Sequence, residues 1–273
     1  MVEYSKKNVE KGYEMIKCSN KNKIKLLDFL KNKSSENCFL IGDVENFDLE
    51  EQFIDVWILE TAIKITSVLL RYYKYYIVYS EDNNDIEKIS IQISKDKNCL
   101  NIAGLEETID KISHYMQFKE IKREYLSELT HNSFIELRTN YIPIKATIEN
   151  IEELFTFHKS ISEFKVTDDS KDSFGQEINN NTGRIYYIKE ENVIVSSATL
   201  TAENSINGMI IGVATAEKYR RKGYAKACMN ALCKEIVDNR KTAILFYNNE
   251  DAGKLYREIG FKEINKWAIG ILK

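Results

Sequence analysis

The sequence predicts an α/β (α+β) protein, a mixed but mostly antiparallel central sheet flanked by helices. Strand-like runs follow one another across short turns, and a strand–helix–strand–helix–strand series comes after them. The same order of elements can be laid along both halves of the 273-residue chain. The tetrapeptide Phe-Lys-Glu-Ile also occurs twice, at Phe118–Ile121 and Phe261–Ile264. Each copy follows a helix with a tyrosine near its end, Tyr115 and Tyr256.

In the first half, helices fit Asn22–Asn32 and Ser35–Asn46. Strands fit Phe53–Glu60, Ile63–Tyr72 and Tyr75–Tyr79. A helix at Asp85–Ser94, a strand at Leu100–Ile102 and a helix at Leu105–Met116 complete it. The polar stretch Leu126–Phe134 and the only proline, Pro143, place a boundary near residue 140. The expected domains are therefore 1–139 and 140–273, each of a size that can bury its own core. In the second half, a lead-in at Ile142–Thr147 precedes a helix at Ile151–Ser160. A polar loop with a short helix covers Phe164–Ile178. Strands fit Gly183–Lys189, Val193–Thr201 and Gly208–Thr215, and a helix fits Tyr224–Asn239. The strand Thr242–Tyr247, the helix Asp251–Ile259 and a strand near Lys266–Leu272 follow.

Composition narrows the function classes. Hydrophobic residues make up 43% and the net charge is −3, which argues for a globular chain and against a nucleic-acid binder. No apolar run approaches the ~20 residues of a membrane span, and the N-terminal stretch has no signal-peptide core. The five cysteines show no CxxC pairing, so reduced thiols and a cytoplasmic location are expected.

The stretch Arg220-Arg221-Lys222-Gly223-Tyr224-Ala225 carries the chemistry. Three cations and a glycine stand directly before a helix whose apolar positions Ala225, Cys228, Leu232 and Ile236 repeat at 3–4 spacing. A helix start offers unsatisfied N–H groups and the positive end of the dipole. A glycine lets an oxyanion approach the backbone, and successive amides can form a nest. This chemistry suits a pyrophosphate. The first half has Ser80–Ile93 at the corresponding place, with neither glycine nor cationic cluster.

This loop resembles the Arg/Gln-x-x-Gly-x-Gly/Ala motif of the GNAT N-acetyltransferase superfamily. A second motif, Asn-x-x-Ala-x-x-x-Tyr followed by Gly-Phe, is met by Asn249, Ala252, Tyr256, Gly260 and Phe261. The resemblance covers about residues 143–273. With the repeated order of elements it implies tandem GNAT-like folds, the first half resembling a degenerate copy expected to shape the acceptor cleft or to fix the relative geometry of the halves. It implies acetyl-CoA as cosubstrate, its pantetheine bonded to the backbone through Val213 and Thr215. The pyrophosphate would rest on the amides of Arg221, Lys222, Gly223, Tyr224 and Ala225, beside Arg220, with Asn249 as a further contact. Tyr256 matches the tyrosine that protonates the departing thiolate, and the Val213 N–H would polarise the carbonyl. No metal is expected. The acceptor is a small-molecule or peptide amine, with no nucleic acid and no membrane, and a homodimer is left open. Glu203, Glu190 and Glu191 lie near strand ends as bases, but none matches a motif and none is assigned.

Plainer roles are expected elsewhere. Cys228 and Cys233 read as core thiols, and His114, His131 and His158 as structural residues. The aromatic run Arg71–Tyr79 reads as strands around a turn, and Asp43–Glu51 as a solvated loop. The rival to an enzyme is a non-catalytic CoA-binding, sensor or interaction protein on the same fold.

Overall fold

A computed structural model describes residues 15–164 and 168–273. By its contacts the chain divides into two compact units. One comprises residues up to Asn32, Asp43–Arg123 and Trp267–Lys273, and the other comprises Lys33–Gly42 and Glu124–Lys266.

In the first unit, β1 (Ile16–Lys17), β2 (Ile54–Glu60), β3 (Ile65–Tyr72) and β4 (Tyr75–Ser80) pair antiparallel in sequence order. The hairpin from β3 to β4 turns at Tyr73, whose φ is +53°. β4 then pairs parallel with β5 (Asn101–Leu105). Helix α1 (Lys23–Lys31) buries Leu26 and Leu30. Helix α3 (Ile86–Ser94) turns Ile86, Ile89 and Ile93 inward, and α4 (Glu106–Ile112) turns Ile109 and Ile112 inward. The α3 and α4 residues meet Leu69, Tyr76, Val78 and Ile102 in one apolar core, the expected result of burying helix faces with 3–4 periodicity on a sheet. The last strand of the sheet is the end of β12 (Lys262–Leu272). Trp267–Ile271 pair antiparallel with Leu105–Asn101.

The second unit repeats the order. β7 (Ile144–Lys145), β8 (Arg184–Glu190), β9 (Val193–Thr201) and β10 (Asn207–Thr215) pair antiparallel. β10 then pairs parallel with β11 (Thr242–Tyr247). β11 in turn pairs with the end of β6 (Phe118–Leu129), with Tyr125–Leu129 antiparallel to Tyr247–Ala243. Helices α7 (Tyr224–Asp238) and α8 (Glu250–Ile259) cover one apolar cluster around Val195, Leu200, Leu232, Leu245 and Ile259. Helix α5 (Ile151–Lys159) covers a second, around Leu154, Phe157, Tyr187 and Ile194. Helix α6 is Asp168–Asn179. Residues Lys33–Gly42 are held by Asn207 Nδ2 donating to the Ser34 carbonyl (2.9 Å) and Asn204 Nδ2 donating to the Cys38 carbonyl (3.2 Å).

The fold is thus a mixed α/β one with a mostly antiparallel sheet flanked by helices. The strand that closes each unit comes from the other half of the sequence. The sequence reading missed β6. Leu126–Leu129, read as a polar stretch, is strand with Leu126, Ser127 and Leu129 buried. Lys119, Glu120, Lys122 and Arg123 precede it and hide its alternation. Helix α2 (Cys38–Asn46) begins three residues later than expected. Asp43–Asn46, read as part of a solvated loop, close that helix, and burial pushes the Asp43 carboxyl up to about 7. All five cysteines are buried and reduced. Among the described residues no helix is long and apolar enough to cross a membrane.

Candidate active site

The site begins where two parallel strands separate. β10 and β11 pair only from Asn207↔Thr242 to Ile210↔Leu245. Beyond Ile210, β10 pairs with no strand on that side among the described residues. On its other side the pairing with β9 slips, from Ile211↔Thr199 to Ala214↔Ser197. Three steps on β10 match two on β9, so one extra residue is inserted as a bulge. Gly212, with φ +59°, makes the turn. Gly212 and Val213 are left without a paired residue on either side.

After Thr215 a short turn leads into the loop. Arg221 and Gly223 both take left-handed backbone conformations, φ +67° and +93°. Gly223 is the N-cap of α7, and no side chain caps that helix. The first helical acceptor in the loop is the Gly223 carbonyl, bonded from Ala227 N–H at 3.1 Å. The amides before it project from the helix start. A Cβ at Gly223 would find only Tyr141 Cε2, at 3.9 Å, so the approach to the loop is open.

Two of the three cations are engaged. Arg220 Nε donates to the Thr215 carbonyl (3.1 Å), and its guanidinium pairs with Glu163 (2.8 Å). Lys222 Nζ lies over the Tyr219 ring, 5.2 Å from its centroid. Arg221 is exposed. Tyr224 packs between the rings of Tyr141 (4.3 Å) and Tyr219 (6.3 Å), and its hydroxyl donates to Glu190 (2.8 Å).

Asn249 caps α8. Its Oδ1 accepts from the amides of Asp251 (2.9 Å) and Ala252 (3.4 Å), so its side-chain NH2 is the part left for a ligand. Tyr256 lies on the inner face of α8 and is 7% exposed. It stands edge-on to Tyr247 (5.4 Å) and Phe261 (5.9 Å). Burial, with Cys233 and Tyr247 nearby, pushes its phenol up to about 12, which keeps it protonated at neutral pH. Val213, Tyr224 and Tyr256 border one apolar cluster, so loop, strand and tyrosine converge.

Two of the three carboxylates considered as bases are otherwise occupied. Glu203 is buried between Arg184 (2.7 Å) and Lys241 (3.0 Å). Glu190 accepts from Tyr224. Glu191 and Asn192, with φ of +49° and +64°, form the tight turn between β8 and β9.

One group was not legible as part of the site. His158 of α5 is 3% exposed, and its Nε2 lies 2.9 Å from Ser197 Oγ on β9. The rings of Phe157 (5.6 Å), Phe164 (5.6 Å) and Phe174 (6.2 Å) surround it. Burial lowers its pKa from 6.5 to about 4. The folded chain therefore favours the neutral ring. Its contribution to stability is complete above about pH 6.5 and is lost as the pH falls toward 4. His158→Gln is expected to flatten the acid limb of stability by about 3 kcal/mol over that window. Urea melts at pH 7 and pH 4.5 measure it, and equal acid loss in both proteins would refute it.

A family model described as GNAT acetyltransferase matches residues 37–269. The chain belongs to the GNAT acetyltransferase family. A search of the curated proteins found no match. Among solved structures, a GCN5-related N-acetyltransferase-like protein from Streptococcus suis is 17% identical, with a TM-score of 0.56. The match covers 92% of this chain and 98% of that one. A GNAT-family acetyltransferase from Colwellia psychrerythraea is 12% identical with a TM-score of 0.58, covering 96% and 100%. A tandem GNAT protein from the clavulanic acid biosynthesis pathway is 10% identical with a TM-score of 0.59, covering 94% and 97%. These likenesses speak to the fold. GNAT membership supports acyl transfer in general.

Proposed function

We propose that the protein transfers an acetyl group from acetyl-CoA to a primary amine by direct attack. The separation of β10 from β11 beside an open, glycine-capped loop carries this reading. The bare edge of β10 at Val213 and Thr215 can take an extended amide chain as an added strand. The amides from Arg221 to Ala225 and the dipole of α7 suit a pyrophosphate, and no side chain blocks them. The Val213 N–H, freed from the ladder by the bulge, is positioned to donate to a thioester oxygen as it gains charge. The amine nitrogen bonds to the carbonyl carbon, the C–S bond breaks, the departing thiolate takes the Tyr256 proton, and the proton lost by the acylated nitrogen passes to solvent, from which the phenol is restored. A raised phenol pKa fits a donor and not a base. We read the first unit, which shares the order of elements but lacks the loop, as a degenerate copy of the same fold.

Calorimetric titration with acetyl-CoA, followed by thiol release over an amine panel, tests the reading. Binding without release to any amine would favour a sensor. Tyr256→Phe is expected to lower kcat by about 10²-fold and leave acetyl-CoA affinity unchanged. An unchanged kcat would remove Tyr256 from the proton path.

A further inference from the structure

We infer that His158 is a positioning residue for acyl transfer, acting through Ser197 to hold the β10 bulge in the form that presents the Val213 amide. The inference rests on the acetyl-transfer reading above.

The bulge is an irregular turn of backbone on an otherwise regular strand, and something must hold it. Its hinge, Gly212, stands at φ +59°. The Gly212 carbonyl accepts a hydrogen bond from Ser197 Oγ at 3.3 Å, and that hydroxyl is itself 2.9 Å from His158 Nε2. The Ser197 hydroxyl has one proton. When it points to Gly212, the imidazole must supply the matching N–H from Nε2, so the chain of bonds requires the Nε2–H tautomer. The approach is tight. A Cβ built on Gly212 would lie 3.7 Å from His158 Cε1 and 3.3 Å from Thr199 Oγ1. Thr199 Oγ1 is buried and has no hydrogen-bond partner among the described residues, so it does not share the task. Ser197 and His158 are 0% and 3% exposed, which shields both bonds from competing water.

The consequence is kinetic. Gly212 and Val213 have no paired residue, and pairing with β9 resumes at Ala214, whose carbonyl accepts from Ser196 Oγ at 2.7 Å. Within the bulge the Ser197–Gly212 bond holds the peptide unit that carries the Val213 amide. An amide donor displaced by a fraction of an ångström stabilises developing charge less, at little cost to ground-state binding.

The test uses the full chain and four proteins: wild type, His158→Leu, His158→Gln and Ser197→Ala. His158→Leu and Ser197→Ala are expected to lower kcat by about ten- to a hundredfold, with KM for acetyl-CoA within about twofold. The double variant should be no worse than either single one. His158→Gln, whose amide nitrogen can stand where Nε2 stands, should recover most of the rate. Hydrogen exchange over Met209–Thr215 should quicken in His158→Leu and Ser197→Ala, and not in His158→Gln. An unchanged kcat in Ser197→Ala overturns the inference, as does equal loss in the Gln and Leu variants. Should His158→Leu not fold, Ser197→Ala decides alone. Should the wild type transfer no acetyl group, the acetyl-transfer reading fails. The exchange measurement then judges the His158 tie by itself, and unchanged exchange overturns it.

Discussion

Gly223→Glu is expected to abolish acetyl-CoA binding, by at least about 10²-fold, in a protein that remains folded. The position combines two features. Its φ of +93° suits glycine, and no atom lies closer than 3.9 Å to an added Cβ. A side chain therefore enters open space and displaces no core. The backbone penalty is about 1–2 kcal/mol, within the reserve of an ordinary domain. The new carboxylate, however, stands over the amides that would hold a pyrophosphate and opposes its charge. Gly223→Ala separates the two effects, because it carries the same backbone penalty without the charge. Calorimetry should show weakened binding for alanine and none for glutamate. Equal loss in both would assign the effect to backbone geometry. Retained binding in the glutamate variant would remove the loop from the donor site.

Gly260→Ala should be the most destabilising of these substitutions. Gly260 ends α8 at φ +106°. The amides of Gly260 and Phe261 bond back to the carbonyls of Arg257 (3.1 Å) and Tyr256 (3.0 Å), the usual glycine-terminated helix end. An added Cβ would fall 1.8 Å from the Ser133 carbonyl oxygen and 2.9 Å from its carbon. Those are backbone atoms, and the neighbouring Ile135 amide is tied to the Ile259 carbonyl at 2.8 Å. The chain cannot step aside without losing that bond. A cost of about 3–5 kcal/mol is expected. Gly253 on the same helix provides the control. Its Cβ would meet the Tyr247 ring at 2.5 Å and the Arg257 guanidinium at 3.1 Å, side chains and not backbone. Urea unfolding should rank Gly260→Ala well above Gly253→Ala. Comparable values would mean that the Ser133 segment yields. Because Tyr256 sits four residues before Gly260, a folded Gly260 variant should also lose activity.

The elements that were legible in the sequence are those whose signals are local. β9 and β11 fall at Val193–Thr201 and Thr242–Tyr247, as read from their apolar runs and turn residues. Helix α7 starts at Tyr224 because a glycine that tolerates positive φ precedes a 3–4 periodic face. The loop and the Asn249–Phe261 motif could be found for the same reason, since their chemistry lies within a dozen residues of chain. Helix α4 was read as running to Met116 and stops at Ile112. Turn formation at its end depends on neighbours more than on propensity.

By itself, then, the sequence determined the fold class, the place of the glycine-capped loop before α7, and the helix that carries Tyr256. Backbone propensity, glycine conformation and apolar period are properties of neighbouring residues. The tertiary structure alone decided the rest. It showed that β6 pairs with β11 and β12 with β5, because a strand's hydrogen-bond partners from distant parts of the chain are chosen by packing and not by period. It showed Glu203 neutralised by Arg184 and Lys241, 19 and 38 residues away. And it joined His158 to Ser197 and Gly212 beneath the bulge. Those contacts depend on where separate segments meet when the core is buried, and no pattern along the chain encodes them.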